Sequence, residues 1–139
     1  MDKNRILAKL DEIDKYIEEL SEVKPESFKE YQVSIKEKRA CERLVQIAIE
    51  SVLDICSIIV SDMKLGLPED EDEVIKKLES NNVIKKELAL VLSKMKGMRN
   101  ILVHKYGEVE DELVFESISQ ELEDFDKFKE EILRLIEKN

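Results

Sequence analysis

Glycine and proline are nearly missing from this chain, at three and two in 139 residues. That scarcity excludes collagen-like and low-complexity architectures and leaves few of the residues that build tight turns or flexible linkers. Two cysteines, Cys41 and Cys56, are too few and too far apart for a disulfide scaffold or a zinc site. They are expected as buried thiols in a reducing compartment. Tryptophan is absent and aromatics make up 5%. The longest apolar stretch, residues 44–60, is interrupted by Gln46, Glu50, Ser51, Asp54 and Ser57, so a membrane span is not expected. Met1-Asp2-Lys3-Asn4-Arg5 leads into an amphipathic segment and not into an apolar core with a cleavage site. The expected location is the cytoplasm. There is no glycine-rich phosphate loop, no paired His/Cys ligand set and no nucleophile beside a local base. No metal and no cofactor is expected.

What is present is charge: 40% of residues are Asp, Glu, Lys or Arg, with a formal net charge of −10. Leu, Ile, Lys and Glu dominate, the composition of a helical protein with charged solvated faces. Ile6, Leu10, Ile13, Ile17 and Leu20 alternate spacings of four and three, one stripe on a helix. Pro25 ends it. Ser27-Phe28-Lys29-Glu30 reads as a capping box opening a second helix that continues to about Met63. Gly66 and Pro68 mark the following turn. Acids at 70–73 precede a short helix over about 74–78, and Asn81-Asn82 is a turn. A further helix is expected over about 85–105, closed by Gly107. The last begins near Asp111, with a stripe of Phe115, Ile118, Leu122, Phe125, Phe128, Ile132 and Ile136. No strand-like alternation, repeat or linker is visible. The expectation is one all-α domain over residues 1–139, a bundle of four main helices plus a short extra helix.

One run stands out: Met98-Arg99-Asn100-Ile101-Leu102-Val103-His104-Lys105-Tyr106-Gly107, which holds the single histidine. It ends a stretch, residues 88–107, that contains no acid but carries Lys94, Lys96, Arg99 and Lys105. In an acidic chain, bare positive charge around the one side chain that trades protons near neutral pH suits a phosphate. Arginine grips phosphate bidentately and stays charged. Histidine can act as base on a ribose 2′-hydroxyl or as acid on the leaving 5′-oxygen. Arginine can stabilise the charge that builds on the phosphoryl oxygens. Such cleavage needs no metal, and it needs the 2′-hydroxyl, so RNA and not DNA is the expected partner. It wants both an acid and a base, whereas one chain offers one histidine; a two-fold dimer offers two. On a helix Arg99 and His104 lie about 140° apart, while Asn100 and His104 share a face. Gly97, mid-helix, suggests close approach of another backbone or of RNA. On charge and position alone, a lone histidine at a helix end is more often a capping residue, and a lysine cluster more often a solvated face. Asp54, among Val52, Leu53, Ile55 and Ile58, is equally a core-edge acid or a partner for a base such as Arg99.

Read as a pattern, Arg99, His104 and Tyr106 spell R-x4-H-x-Y, which resembles the signature of the HEPN superfamily. More closely, the run 99–106, the helix over 44–54, the Gly66-Leu67-Pro68 turn and the acidic stretch after Tyr106 resemble HepT, the toxin half of the HepT/minimal-nucleotidyltransferase pairs. The similarity covers about residues 36–131. It implies a HEPN helical bundle forming a two-fold homodimer, with Arg99 and His104 as the ribonuclease pair at the dimer cleft. The implied protein is a metal-independent endoribonuclease acting on an RNA such as tRNA or mRNA. Tyr106 would be the residue that a nucleotidyltransferase antitoxin modifies with AMP, placing bulk and phosphate charge two residues from His104. Asp54, Asn100, Lys96 and Lys105 would support the site or bind RNA phosphate. The competing expectation is a non-catalytic HEPN subunit that binds nucleotide or RNA phosphate and presents Tyr106 to the transferase.

Overall fold

Most helices of this protein begin where a short polar side chain takes over an unpaired backbone N–H. The computed structural model describes residues 1–104 and 111–139. Among them are six α-helices and no strand: α1 Lys3–Val23, α2 Phe28–Val33, α3 Ile35–Asp62, α4 Glu71–Ser80, α5 Lys86–Val103 and α6 Asp111–Lys138. Asp2 caps α1 by accepting from Arg5 N–H at 3.1 Å, and Ser27 caps α2 by accepting from Glu30 N–H at 3.2 Å. Asp70 caps α4 by accepting from Glu73 N–H at 2.8 Å. Each cap is worth about 1 kcal/mol. The all-α expectation holds, with α1, α3, α5 and α6 as the four long helices.

One expectation is corrected. The single long helix from Ser27 to about Met63 is two helices. Ser34 is extended (φ −99°, ψ 100°) and its Oγ accepts from Glu37 N–H at 3.3 Å, so it caps α3 just as Ser27 caps α2. The break lets α2 lie against α6 while α3 runs through the core. Tyr31, fully buried, then meets Phe115 of α6 at 5.3 Å between ring centres, and Phe28 meets it at 5.9 Å. The helix expected over about 74–78 is also longer, because the acids at 71–73 form its first turn.

α3 contacts all five other helices, and its packing against α1 is the most extensive. Its buried side chains include Cys41, Val45, Ile49, Val52, Ile55, Cys56 and Ile59. Both cysteines are free and buried, as expected, and burial pushes the Cys41 thiol up to about 11 and the Cys56 thiol up to about 12. By length and composition alone α3 could cross a membrane, with a window hydropathy of 1.9, but 61% of that window is buried inside this bundle. Its apolar surface is thus used by the core. The turn from α3 to α4 takes positive φ at Lys64 (55°) and Gly66 (106°), and the α4–α5 turn does so at Asn82 (58°). Glycine and asparagine tolerate this left-handed region best. Lys38 of α3 pairs with Asp111 at 2.8 Å and so pins the start of α6.

Candidate active site on helix α5

α5 buries Leu88, Ala89, Leu92, Met95, Met98 and Leu102, spaced by threes and fours, and this sets its rotation about its axis. Met95 and Met98 are both part of the core. The opposite face is open. Leu90 (63% exposed), Lys94, Gly97, Ile101 (43% exposed) and His104 follow one another by fours and threes along it. His104 is the C-cap of α5, and its backbone N–H donates to the Asn100 carbonyl at 3.0 Å.

Arg99 points elsewhere. Its side chain is only 14% exposed. Its Nε donates to Asn100 Oδ1 at 3.0 Å, and its Nη2 donates to the carboxylate of Glu71 in the first turn of α4. One turn earlier on α5, Lys96 pairs with Asp72 of the same α4 turn at 2.7 Å. Asn100 therefore joins the two expected site residues: its side chain holds Arg99 and its carbonyl holds the His104 backbone. Arg99 faces α4, and His104 lies on the open side of α5. The histidine is wet and free to approach a substrate, whereas the arginine is shielded and fixed.

Asp54 does not pair with Arg99 here. It is exposed on α3 and lies 3.6 Å from Lys9 of α1, which places it as a helix-face acid; the carboxylate at Arg99 is Glu71. Lys105 and Tyr106 lie outside the described residues. The acids at 70–73, expected only to precede a short helix, include Glu71 and Asp72, which reach the α5 cations. No local signal could have shown it, since Glu71 and Arg99 are 28 residues apart. Among the described residues no group of three or more His, Cys, Asp or Glu is placed to hold a metal.

Gly97 is open: a Cβ built there meets nothing within 4 Å. In the isolated chain Gly97→Ala is therefore expected to raise stability by about 1 kcal/mol through helix propensity, read as a higher urea midpoint at a concentration where the protein is monomeric. An unchanged or lower midpoint would contradict it.

A second set of charged groups lies away from this site. Glu121 and Asp124 on α6 are buried (1% and 4% exposed), and among the described residues both Glu121 oxygens and Asp124 Oδ2 have no hydrogen-bond partner. Lys94 Nζ stands 3.9 Å from Asp124. Burial first, and the neighbouring Asp124 second, push the Glu121 carboxyl up to about 7, with Lys94 opposing. A hollow of about 650 Å³ beside the α5 N-terminus is lined by Lys85, Lys86, Arg134, Lys138, Glu79 and Glu131 among others, and by neither Arg99 nor His104.

With this geometry established, comparison with known proteins is specific. The chain is 28% identical over 127 residues to the tRNA nuclease HepT of Aphanizomenon flos-aquae, covering 91% of this chain and 86% of that protein. It is 36% identical over 84 residues to the mRNA nuclease HepT of Shewanella oneidensis, covering 60% of this chain and 63% of that one. Its fold superimposes with a TM-score of 0.86, at 28% identity over 96% of this chain and 99% of the other, on a tri-AMPylated Shewanella oneidensis HEPN toxin solved in complex with its MNT antitoxin. The family model for ribonuclease HepT-like proteins matches residues 13–132, and the chain belongs to that family of HEPN-fold ribonucleases.

Proposed function

We propose that this protein is the toxin of a toxin–antitoxin pair, a metal-independent endoribonuclease whose reacting groups are Arg99 and His104. The observation that carries the reading is the arrangement about Asn100. A guanidinium is locked by two hydrogen bonds on one side of α5, and one turn on His104, whose side chain is exposed, closes the same helix with its backbone N–H. One histidine takes the proton of a ribose 2′-hydroxyl, and the 2′-oxygen attacks the adjacent phosphorus. The P–O5′ bond breaks as a second imidazolium gives its proton to the leaving 5′-oxygen. The products are a cyclic phosphate and a 5′-hydroxyl. Arg99 binds the phosphoryl oxygens as their charge grows. The second histidine comes from a second copy of the chain in a two-fold homodimer. The open α5 face bearing Leu90, Gly97, Ile101 and His104 is the surface we assign to that contact. The relatives' substrates support RNA, whether tRNA or mRNA.

Control would come from a minimal nucleotidyltransferase antitoxin that adds AMP to Tyr106, as the AMP-bearing HEPN toxin bound to its MNT antitoxin suggests. An added nucleotide brings a phosphate negative charge close to where RNA phosphate must enter. The test is to incubate the purified protein with total RNA in the presence of EDTA, before and after treatment with the transferase and ATP. The expected result is cleavage to 5′-hydroxyl ends in EDTA, silenced by the treatment in wild type and not in Tyr106→Phe. RNA binding without cleavage would overturn the nuclease reading in favour of a phosphate-binding subunit. Equal silencing of the Tyr106→Phe protein would overturn the assignment of the modified residue.

A further inference from the structure

We infer that Glu71 is the positioning residue for Arg99, resting on the reading of Arg99 as the phosphate-binding arginine. A lysine or arginine side chain carries about 2 kcal/mol of rotamer entropy, and a guanidinium that wanders stabilises a transition state poorly. Here the fork is held at two points. Nε donates to Asn100 Oδ1, from the same helix, and Nη2 donates to the Glu71 carboxylate, from α4. Two anchors on a planar group leave it no rotation. Among the described residues Nη1 has no partner, and its donors remain for a phosphate.

Glu71 is suited to this task in three ways. It sits in the first turn of α4, where the unpaired N–H groups favour a negative charge. It is more exposed than the arginine it holds, 39% against 14%, so its carboxylate is stabilised by water while Arg99 is shielded. Asp72, its neighbour, pairs with Lys96 at 2.7 Å, which ties the same two helix ends together a second time. An unpaired guanidinium at this depth would be costly. Glu71 removes that cost without covering the whole fork.

The experiment compares Glu71→Ala and Glu71→Gln with wild type in steady-state cleavage of a short single-stranded RNA. It also follows the Arg99 Nε–Hε signal by 15N NMR. In Glu71→Ala, kcat is expected to fall about 10- to 100-fold with KM nearly unchanged, and the Nε–Hε signal to broaden. Glu71→Gln keeps an acceptor oxygen for Nη2, so it is expected to stay within a few fold of wild type and to keep a sharp signal. Wild-type kcat or faster cleavage in Glu71→Ala overturns the inference; the faster case would make the carboxylate a competitor of RNA phosphate. If wild type itself leaves RNA intact, the nuclease reading fails, and the NMR comparison alone still decides whether Glu71 anchors Arg99.

Discussion

Alanine in place of His104 is expected to slow RNA cleavage by about 10²- to 10⁴-fold, the usual worth of a positioned acid or base, with little change in stability. The reason for the second half is structural. His104 is exposed, and its contribution to the α5 cap is a backbone N–H that alanine retains. Exposed positions of this kind usually shift stability by no more than about 0.5 kcal/mol, so the lost rate reads chemistry and not folding. Arg99→Ala should cost about 10²- to 10³-fold, the range for removing one donor to a developing oxyanion. It also strips a largely shielded side chain from its two partners. Arg99→Lys is therefore the cleaner variant: it keeps the charge and loses the fork, and it should still be slow because one ammonium cannot hold both anchors, Asn100 and Glu71, and still meet a phosphate. Cleavage of purified RNA followed on a gel, beside growth after induction in cells, measures both. His104→Ala cleaving at the wild-type rate would remove R-x4-H as the reacting pair.

The second large effect concerns stability against pH. Glu121 carries its proton far more firmly in the folded protein, at about 7, than its ordinary value of 4.5, chiefly because burial disfavours the carboxylate. A raised folded value means stability that is complete at acid pH and declines as pH rises through about 7. The full span corresponds to about 3 kcal/mol, lost between the ordinary value of 4.5 and about pH 7, with little further change above that. Glu121→Gln cannot ionise, so its urea-unfolding free energy should fall less over that interval than the wild-type value does. Asp124 and Lys94 remain in both proteins, which makes the difference in slope specific to Glu121. Parallel curves for the two proteins would show that the Glu121 carboxyl is not held protonated by the fold.

Much of this architecture was legible in the chain because helices repeat locally. Of the stripe Ile6, Leu10, Ile13, Ile17 and Leu20, all but the partly buried Ile17 are buried on α1, and Ile118, Phe125, Phe128, Ile132 and Ile136 are buried on α6. Caps were less legible. Ser27-x-x-Glu30 stands out after Pro25, but the identical Ser34-x-x-Glu37 does not, because the surrounding pattern continues as a helix on both sides and one side-chain hydrogen bond decides the break. The expected stripe on α6 included Phe115 and Leu122, which are only partly buried, and overlooked Glu121 and Asp124, which are buried. Charged residues on a buried face run against the rule by which such faces are recognised.

Helicity, the gathering of positive charge near one histidine, and the place of Arg99 and His104 at the end of one helix could be read from the chain alone. Those are properties of residues within a few positions of each other, and periodicity and composition report them directly. Which acid meets Arg99 was settled by the packing of distant helices. The packing of α4 on α5 brings Glu71 and Asp72 to Arg99 and Lys96, while the packing of α1 on α3 turns Asp54 toward Lys9. A charge pair between distant segments depends on where two helices cross and how each is rotated. That is set by the sum of buried contacts over the whole core, which no short stretch of sequence contains.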